Sequence, residues 1–232
     1  MPTHHTMLLR FAFIATALAL LSVAVLDGPL ALMLASVPEE VRDAINQGVR
    51  LCEWLFGFPV SPYLYGALLV AAGIAARKRS PAVARALVFI GLAHLTTRLV
   101  AGVMKPPFSR FRPYEALAGG IWQDTWFTPV GNSFPSGHAA HFWSLFFPLA
   151  VLFPRYWLPL AVLPVLISAA RVVVNHHYLS DVAASVAVAA SITWAYFRII
   201  LARGRKSLIS FPPQLGAARD AANRRASRSA GS

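Results

Sequence analysis

In a chain of 232 residues that is 57% apolar and only 13% charged, hydropathy leaves a short series of polar positions unexplained. They are Lys105, Arg112, the run Pro135-Ser136-Gly137-His138, Arg171, His177 and Asp181. Their types suit one chemistry. A phosphate ester resists hydrolysis because its anionic oxygens repel nucleophiles, so a catalyst must neutralise charge that spreads over the equatorial oxygens in the transition state. Arg112 and Arg171 offer planar paired donors, each able to grip two oxygens, and Lys105 offers a point charge. Ser136 and Gly137 immediately precede an apolar run; where that run begins a helix, its free N–H groups and positive end bind anions. Gly137 leaves room for close approach, and the Ser136 hydroxyl adds a donor. Asp181 follows His177 by four residues, so its carboxylate can fix the tautomer on one imidazole nitrogen and leave the other free to attack phosphorus. The basic set would repel a magnesium pair, and no dense carboxylate cluster is present to hold one, so neither metal nor cofactor is expected. The residues alone do not order His138 and His177 as acid and nucleophile.

The elements that must position these residues are membrane spans. A mean hydropathy of +0.57 alongside a net charge of +12 excludes a solvated nucleic-acid module and a disordered chain. The apolar residues come in blocks long enough to cross a bilayer, which takes about 20 residues as helix. Six spans are predicted, at 7–26, 60–76, 82–104, 138–153, 157–174 and 181–201, with kinks at the prolines in and between the fourth and fifth. The runs do not alternate, which excludes a membrane β-barrel. The expected fold is therefore an all-α polytopic bundle. Residues 1–206 form the membrane domain, and 207–232 form a basic, mobile tail. The first span is longer than the core of a signal peptide and is expected to be retained. One cysteine, Cys52, excludes an intramolecular disulfide and any multi-cysteine metal site.

Arg77, Lys78, Arg79, Arg85, Arg155 and the tail arginines set the orientation by the positive-inside rule, with both termini cytoplasmic. The connections 27–59, 105–137 and 175–180 then face outward. On this division the cytoplasmic side holds 14 of the 21 basic residues and one of the nine acidic ones, whereas the outer side is nearly neutral. The net charge records orientation, and the chemically interesting cations are the few on the outer face. In the first outer connection Val41, Ala44, Ile45, Gly48, Val49, Cys52, Leu55 and Phe56 follow helical spacing after Pro38, with Glu39 and Glu40 at the positive end. That helix either packs on the rim of the bundle or lies in the lipid interface and admits substrate.

The three outer pieces, K-x6-R-P from Lys105, P-S-G-H from Pro135, and R-x5-H-x3-D from Arg171, resemble the type 2 phosphatidic acid phosphatase superfamily, which also includes glucose-6-phosphatase and the vanadium haloperoxidases. The resemblance spans residues 105–181 in family order, and the six-span layout resembles the family's membrane members. It implies that His177 is the nucleophile, oriented by Asp181. His138 is the acid for the leaving alcohol and then the base for the water that breaks a phosphohistidine. Lys105, Arg112, Ser136, Gly137 and Arg171 are implied as the phosphate site. Spacing selects His177 over His176, which misses both third-motif intervals by one. The serine often found before the third-motif arginine is replaced by Ala170, the loss of one hydrogen bond of about 1 kcal/mol.

Other polar residues carry two readings. His94, Arg98 and Lys105 share a helical face; Arg98 either snorkels or pairs with a carbonyl, or supports the phosphate site from behind. Arg110 either touches phosphate or is solvated in its loop. His141 is expected to be a packed, hydrogen-bonded core residue, and His4 and His5 to be solvated. Trp122, Trp126 and Phe127 are expected to anchor at the interface.

The resemblance implies a metal-independent lipid phosphatase at the outer face of a cytoplasmic (inner) membrane. Phosphatidate or phosphatidylglycerophosphate is the default substrate, and lipid A 1-phosphate and undecaprenyl diphosphate are alternatives. The expected partners are a membrane lipid and the bilayer, not nucleic acid. A vanadate-dependent oxidase is disfavoured by membrane embedding. A lipid or ion transporter would have no evident use for His138, His177 and Asp181 together.

Overall fold

The computed structural model describes residues 4–121 and 125–201; the predicted tail 207–232 and Trp122 lie outside the described residues. The fold is helical, with no strand among the described residues.

The first helix, α1 (His4–Leu21), passes through a π-helical turn (Ser22–Leu26) into α2 (Asp27–Ala35). The continuous run therefore extends well beyond the predicted 7–26. The wide turn has a use: it sets Ser22 and Asp27 toward the bundle, and both are buried. After Pro38 comes the predicted outer helix, α3 (Glu39–Leu55). Arg42 on α3 donates to the carbonyls of Leu34 at 2.7 Å, Ala35 at 2.9 Å and Val37 at 3.0 Å, satisfying the exposed end of α2.

Helices α4 (Leu64–Ala76) and α5 (Pro81–Phe108) form a tight hairpin. Its closeness depends on glycine: a Cβ at Gly91 would lie 2.7 Å from the Gly66 carbonyl oxygen and 3.0 Å from the Val70 nitrogen. The short α6 (Pro113–Gly119) follows in the outer connection. Then α7 (Gly137–Leu152) runs through the middle of the bundle against α5, α8 (Trp157–Val173) and α9 (Leu179–Tyr196), while α1 packs along α9. A second π-helical turn continues α9 to Leu201.

Four runs are long and apolar enough to cross a membrane: Thr6–Ala35, Pro81–Gly119, Pro154–Val173 and Leu179–Leu201. The second and fourth predicted spans coincide with α4 and α7, which have 13 and 16 residues, and at about 1.5 Å rise per residue these fall short of a full hydrocarbon core. The surface agrees with a lipid environment. Phe13 is 75% exposed, Leu20 68% and Leu166 60%, an apolar exterior that a water-soluble domain of this size does not carry. Inside, small residues of α9 such as Ala189 and Ala190 let α7 and α1 approach, and Trp143, Phe147 and Leu8 fill the space between them.

Candidate active site

Successive spans run in opposite directions, so the C-terminal ends of α5 and α8 meet the N-terminal ends of α7 and α9 at one end of the bundle. Backbone hydrogen bonds lock this junction. Ser136 N–H donates to the Asp181 carbonyl at 3.1 Å, and Ser185 Oγ donates to the Ser136 carbonyl at 2.9 Å. The N–H groups of His176 and His177 each donate to the Arg171 carbonyl at 3.1 Å, folding the end of α8 into a turn that presents both imidazoles. Asn175 takes a left-handed conformation there, φ +55°, and its side chain donates to the Ala31 carbonyl at 3.0 Å.

His177 is buried, with Nδ1 3.6 Å from Asp181 Oδ2. Burial is the main influence on the imidazole and pushes its pKa down to about 3. The bond to Asp181 opposes this, and the charges of Lys105 and His138 reinforce it. At neutral pH the ring is therefore unprotonated, as a nucleophile requires. Asp181 is fully enclosed and accepts from Ser133 Oγ at 2.5 Å, Tyr178 N–H at 2.9 Å and Arg110 Nη1 at 2.7 Å. The ring centres of His138 and His177 are 6.5 Å apart.

The cations surround the two histidines. Lys105 Nζ donates to the Asn132 carbonyl at 2.8 Å. Arg112 lies within electrostatic reach of both Lys105 and Arg171. Arg171 donates to Asn46 Oδ1 at 3.3 Å and is hydrogen-bonded to His176. The Nε atoms of Arg112 and Arg171 are buried without a partner among the described residues. Ser136 caps α7, accepting from Ala139 N–H at 3.4 Å, and Gly137 follows it as the first residue of the helix. Arg98 takes the carbonyl-pairing form of its expected alternatives: Nη1 donates to the Gly137 carbonyl at 2.5 Å, directly behind the Ser136–Gly137 turn. Every predicted site residue is thus drawn into one cluster.

Some expectations change. Arg110 is not a solvated loop residue. It is 3% exposed, lies between the rings of Trp126 and Tyr178 at 4.1 and 3.7 Å, and bridges Asp181 and Asp27, the latter at 2.8 Å. Trp126 accordingly holds this arginine as well as lining the outer loop. Burial pushes the Tyr178 hydroxyl up to about 12. Ser180 joins the same group, donating from N–H and Oγ to Asp27 at 3.1 and 2.5 Å. His176 is tied to Arg171 and tilted over Tyr114, with no carboxylate partner among the described residues. His141 is a core histidine, as expected, with Nε2 3.2 Å from the Phe56 carbonyl. Ala170 packs against the apolar cluster of Val49, Phe142 and Ile167, where a serine hydroxyl would meet hydrocarbon.

Three residues escaped the sequence reading. Asp27 and Glu53 enter the site from segments remote from the motifs, Ser133 lies two residues before Pro135, and Glu53 is hydrogen-bonded to His138 Nε2. The one available signal was an acidic residue, Asp27, at the end of an apolar run.

A family model described as the PAP2 superfamily matches residues 86–205. The lipid A 1-phosphatase of Rhizobium etli is 32% identical over 174 residues, covering 68% of this chain and 74% of that protein. The lipid A 1-phosphatase of Rhizobium johnstonii is 26% identical over 189 residues, covering 77% of this chain and 75% of that protein. Among solved structures, the PAP2 type phosphatidylglycerolphosphate phosphatase from Bacillus subtilis is similar at a TM-score of 0.49 and 16% identity, covering 86% of this chain and 96% of that one. The motif residues gathered at the junction lie inside the matched segment, and with the Rhizobium relatives they settle the assignment: this chain belongs to the PAP2 superfamily.

Proposed function

We propose that this lipid phosphatase of the PAP2 superfamily removes a terminal phosphomonoester from a lipid in the outer leaflet of a cytoplasmic membrane, through a phosphohistidine on His177 and without a metal ion. The observation that carries the reading is a neutral histidine backed by an enclosed carboxylate, facing a second histidine across a set of arginines whose Nε donors lack acceptors among the described residues. A phosphate entering between them supplies those acceptors. Lys105, Arg112, Arg171 and the first N–H groups of α7 take the charge of the equatorial oxygens. Nε2 of His177 attacks phosphorus in line with the leaving oxygen while Asp181 steadies Nδ1–H, and His138 gives its proton to the departing alcohol. Water then enters on the same line. Its proton goes to His138, its oxygen bonds to phosphorus, and the P–N bond breaks to restore His177.

A lipid suits the position of the site. Residues at span ends lie near headgroup depth, so an amphiphile can keep its chains in the bilayer while its phosphate enters. The two Rhizobium relatives move the 1-phosphate of a lipid A ahead of phosphatidate and phosphatidylglycerophosphate as the substrate to test first. The test is phosphate release by the purified protein from lipid A, phosphatidate, phosphatidylglycerophosphate and undecaprenyl diphosphate in mixed micelles. The reading predicts the highest kcat/KM on lipid A, with loss of the 1-phosphate. A higher value on a glycerophospholipid would reverse the substrate order, and release from none would refute the phosphatase reading.

A further inference from the structure

Glu53 lies on α3, outside the motifs and outside residues 86–205 that the family model matches. Its carboxylate meets His138 Nε2 in a pair whose side chains are only 16% and 14% exposed. Phe58 stacks on the same imidazole, ring centres 4.7 Å apart and planes 23° from parallel, so both the plane and the rotation of the ring are set. Nδ1 of His138 has no hydrogen-bond partner among the described residues. The position of Glu53 is firm because α3 is anchored from both sides. Val49 packs with Phe142 and Ile167, and Asn46, two turns before Glu53, accepts from Arg171.

His138 is faced by Arg98 from α5, Arg171 from α8, His176 and His177 from the α8–α9 turn and His141 on its own helix. Arg98 and Arg171 disfavour the imidazolium that an acid role needs, and Glu53 is the carboxylate in contact that opposes them. Burial alone would raise the Glu53 carboxyl, but the hydrogen bond from His138 and the charges of His138, Arg171 and Arg50 outweigh it and hold it below the usual carboxylate range.

Resting on the phosphatase reading above, we propose that Glu53 is a positioning residue for the leaving-group step, holding His138 by Nε2 so that Nδ1–H is presented to the ester oxygen. As the P–O bond breaks, its electron pair takes the Nδ1 proton and the phosphoryl group bonds to Nε2 of His177. The Nε2 proton stays on His138, hydrogen-bonded to Glu53, throughout, and the water of the second step returns a proton to Nδ1. The two histidines thus each have a carboxylate, one from within the third motif and one from the outer helix.

The test compares kcat/KM on two amphiphiles in mixed micelles: dodecyl phosphate, whose alkoxide needs a proton to leave, and an octyl-substituted nitrophenyl phosphate, whose phenolate does not. Glu53→Gln is expected to lose roughly 10²-fold on the alkyl ester while staying within about threefold of wild type on the aryl ester. On the alkyl ester the alkaline limb of its pH profile moves to lower pH, and Glu53→Asp recovers part of the loss. Equal losses on both esters, a gain on both, or an unmoved alkaline limb would overturn the inference while leaving the phosphatase reading intact. A wild type that hydrolyses neither ester would overturn that reading and this inference with it.

Discussion

His177 and Asp181 are legible in the sequence because four residues on a turn entering a helix bring them together, and because the family's spacing singles out one of two adjacent histidines. What holds Asp181 is not legible. Its partners Ser133 and Arg110 are 48 and 71 positions away, and Arg110 reaches Asp27 across a further 83. No local spacing encodes such contacts. Truncating Arg110 should be severe, since Asp27 and Asp181 would remain buried without their cation: Arg110→Met is expected to cost about 3–5 kcal/mol, more than Asp27→Asn, in thermal unfolding of the detergent-solubilised protein. The pH dependence has a definite sign. Folded His177 takes a proton only near pH 3, whereas an exposed histidine does so near 6.5. The unfolded chain therefore binds more protons as pH falls below 6.5, and folded stability declines from there down to about 3. At pH 5 this group alone removes about 2 kcal/mol. The drop in melting temperature between pH 7.5 and pH 5 should be smaller in His177→Gln than in wild type; parallel drops would contradict a neutral, buried His177.

Apolar length marks the spans well, and Pro38 with its following acidic pair marks the start of α3. The packing reading of α3 holds for one of its faces. Ile45, Val49 and Cys52 pack inward, whereas Val41, Leu51 and Leu55 remain exposed on a neighbouring stripe. Amphipathic spacing shows that a helix has an apolar side but not how that side divides between protein and surroundings. The π-helical turn at Ser22–Leu26 left no sequence signal, because it is imposed by burying Asp27 against Arg110 and Ser180. The α4–α5 hairpin makes a sharper claim about single atoms. Gly91→Leu would drive a side chain into the backbone of α4 at Gly66 and Val70, which cannot yield as a flexible side chain can. A cost of about 1–3 kcal/mol or more is expected from such overpacking, read as reduced monodisperse yield on size exclusion and a lower melting temperature. Unchanged yield and melting temperature would contradict the close approach of these helices.

For the whole molecule, the proposed orientation places the site outside and the Arg77–Arg79 cluster in the cytoplasm. The motif residues gather at one end of the bundle, and the Arg77–Arg79 cluster lies at the other end of α4 and α5. In a Cys52→Ser background, Val130→Cys should react with a membrane-impermeant maleimide in intact spheroplasts, and Lys78→Cys only after the membrane is opened. The reverse pattern would place the site on the cytoplasmic side. The central claim is that the clustered residues hydrolyse a lipid phosphomonoester through His177 with no metal ion. It is tested most directly by phosphate release from a lipid A 1-phosphate in excess chelator, comparing wild type with a folded His177→Ala variant. The account predicts full wild-type turnover and loss of roughly 10³-fold or more in the variant. Activity abolished by chelator in the wild type, or retained in His177→Ala, would contradict it.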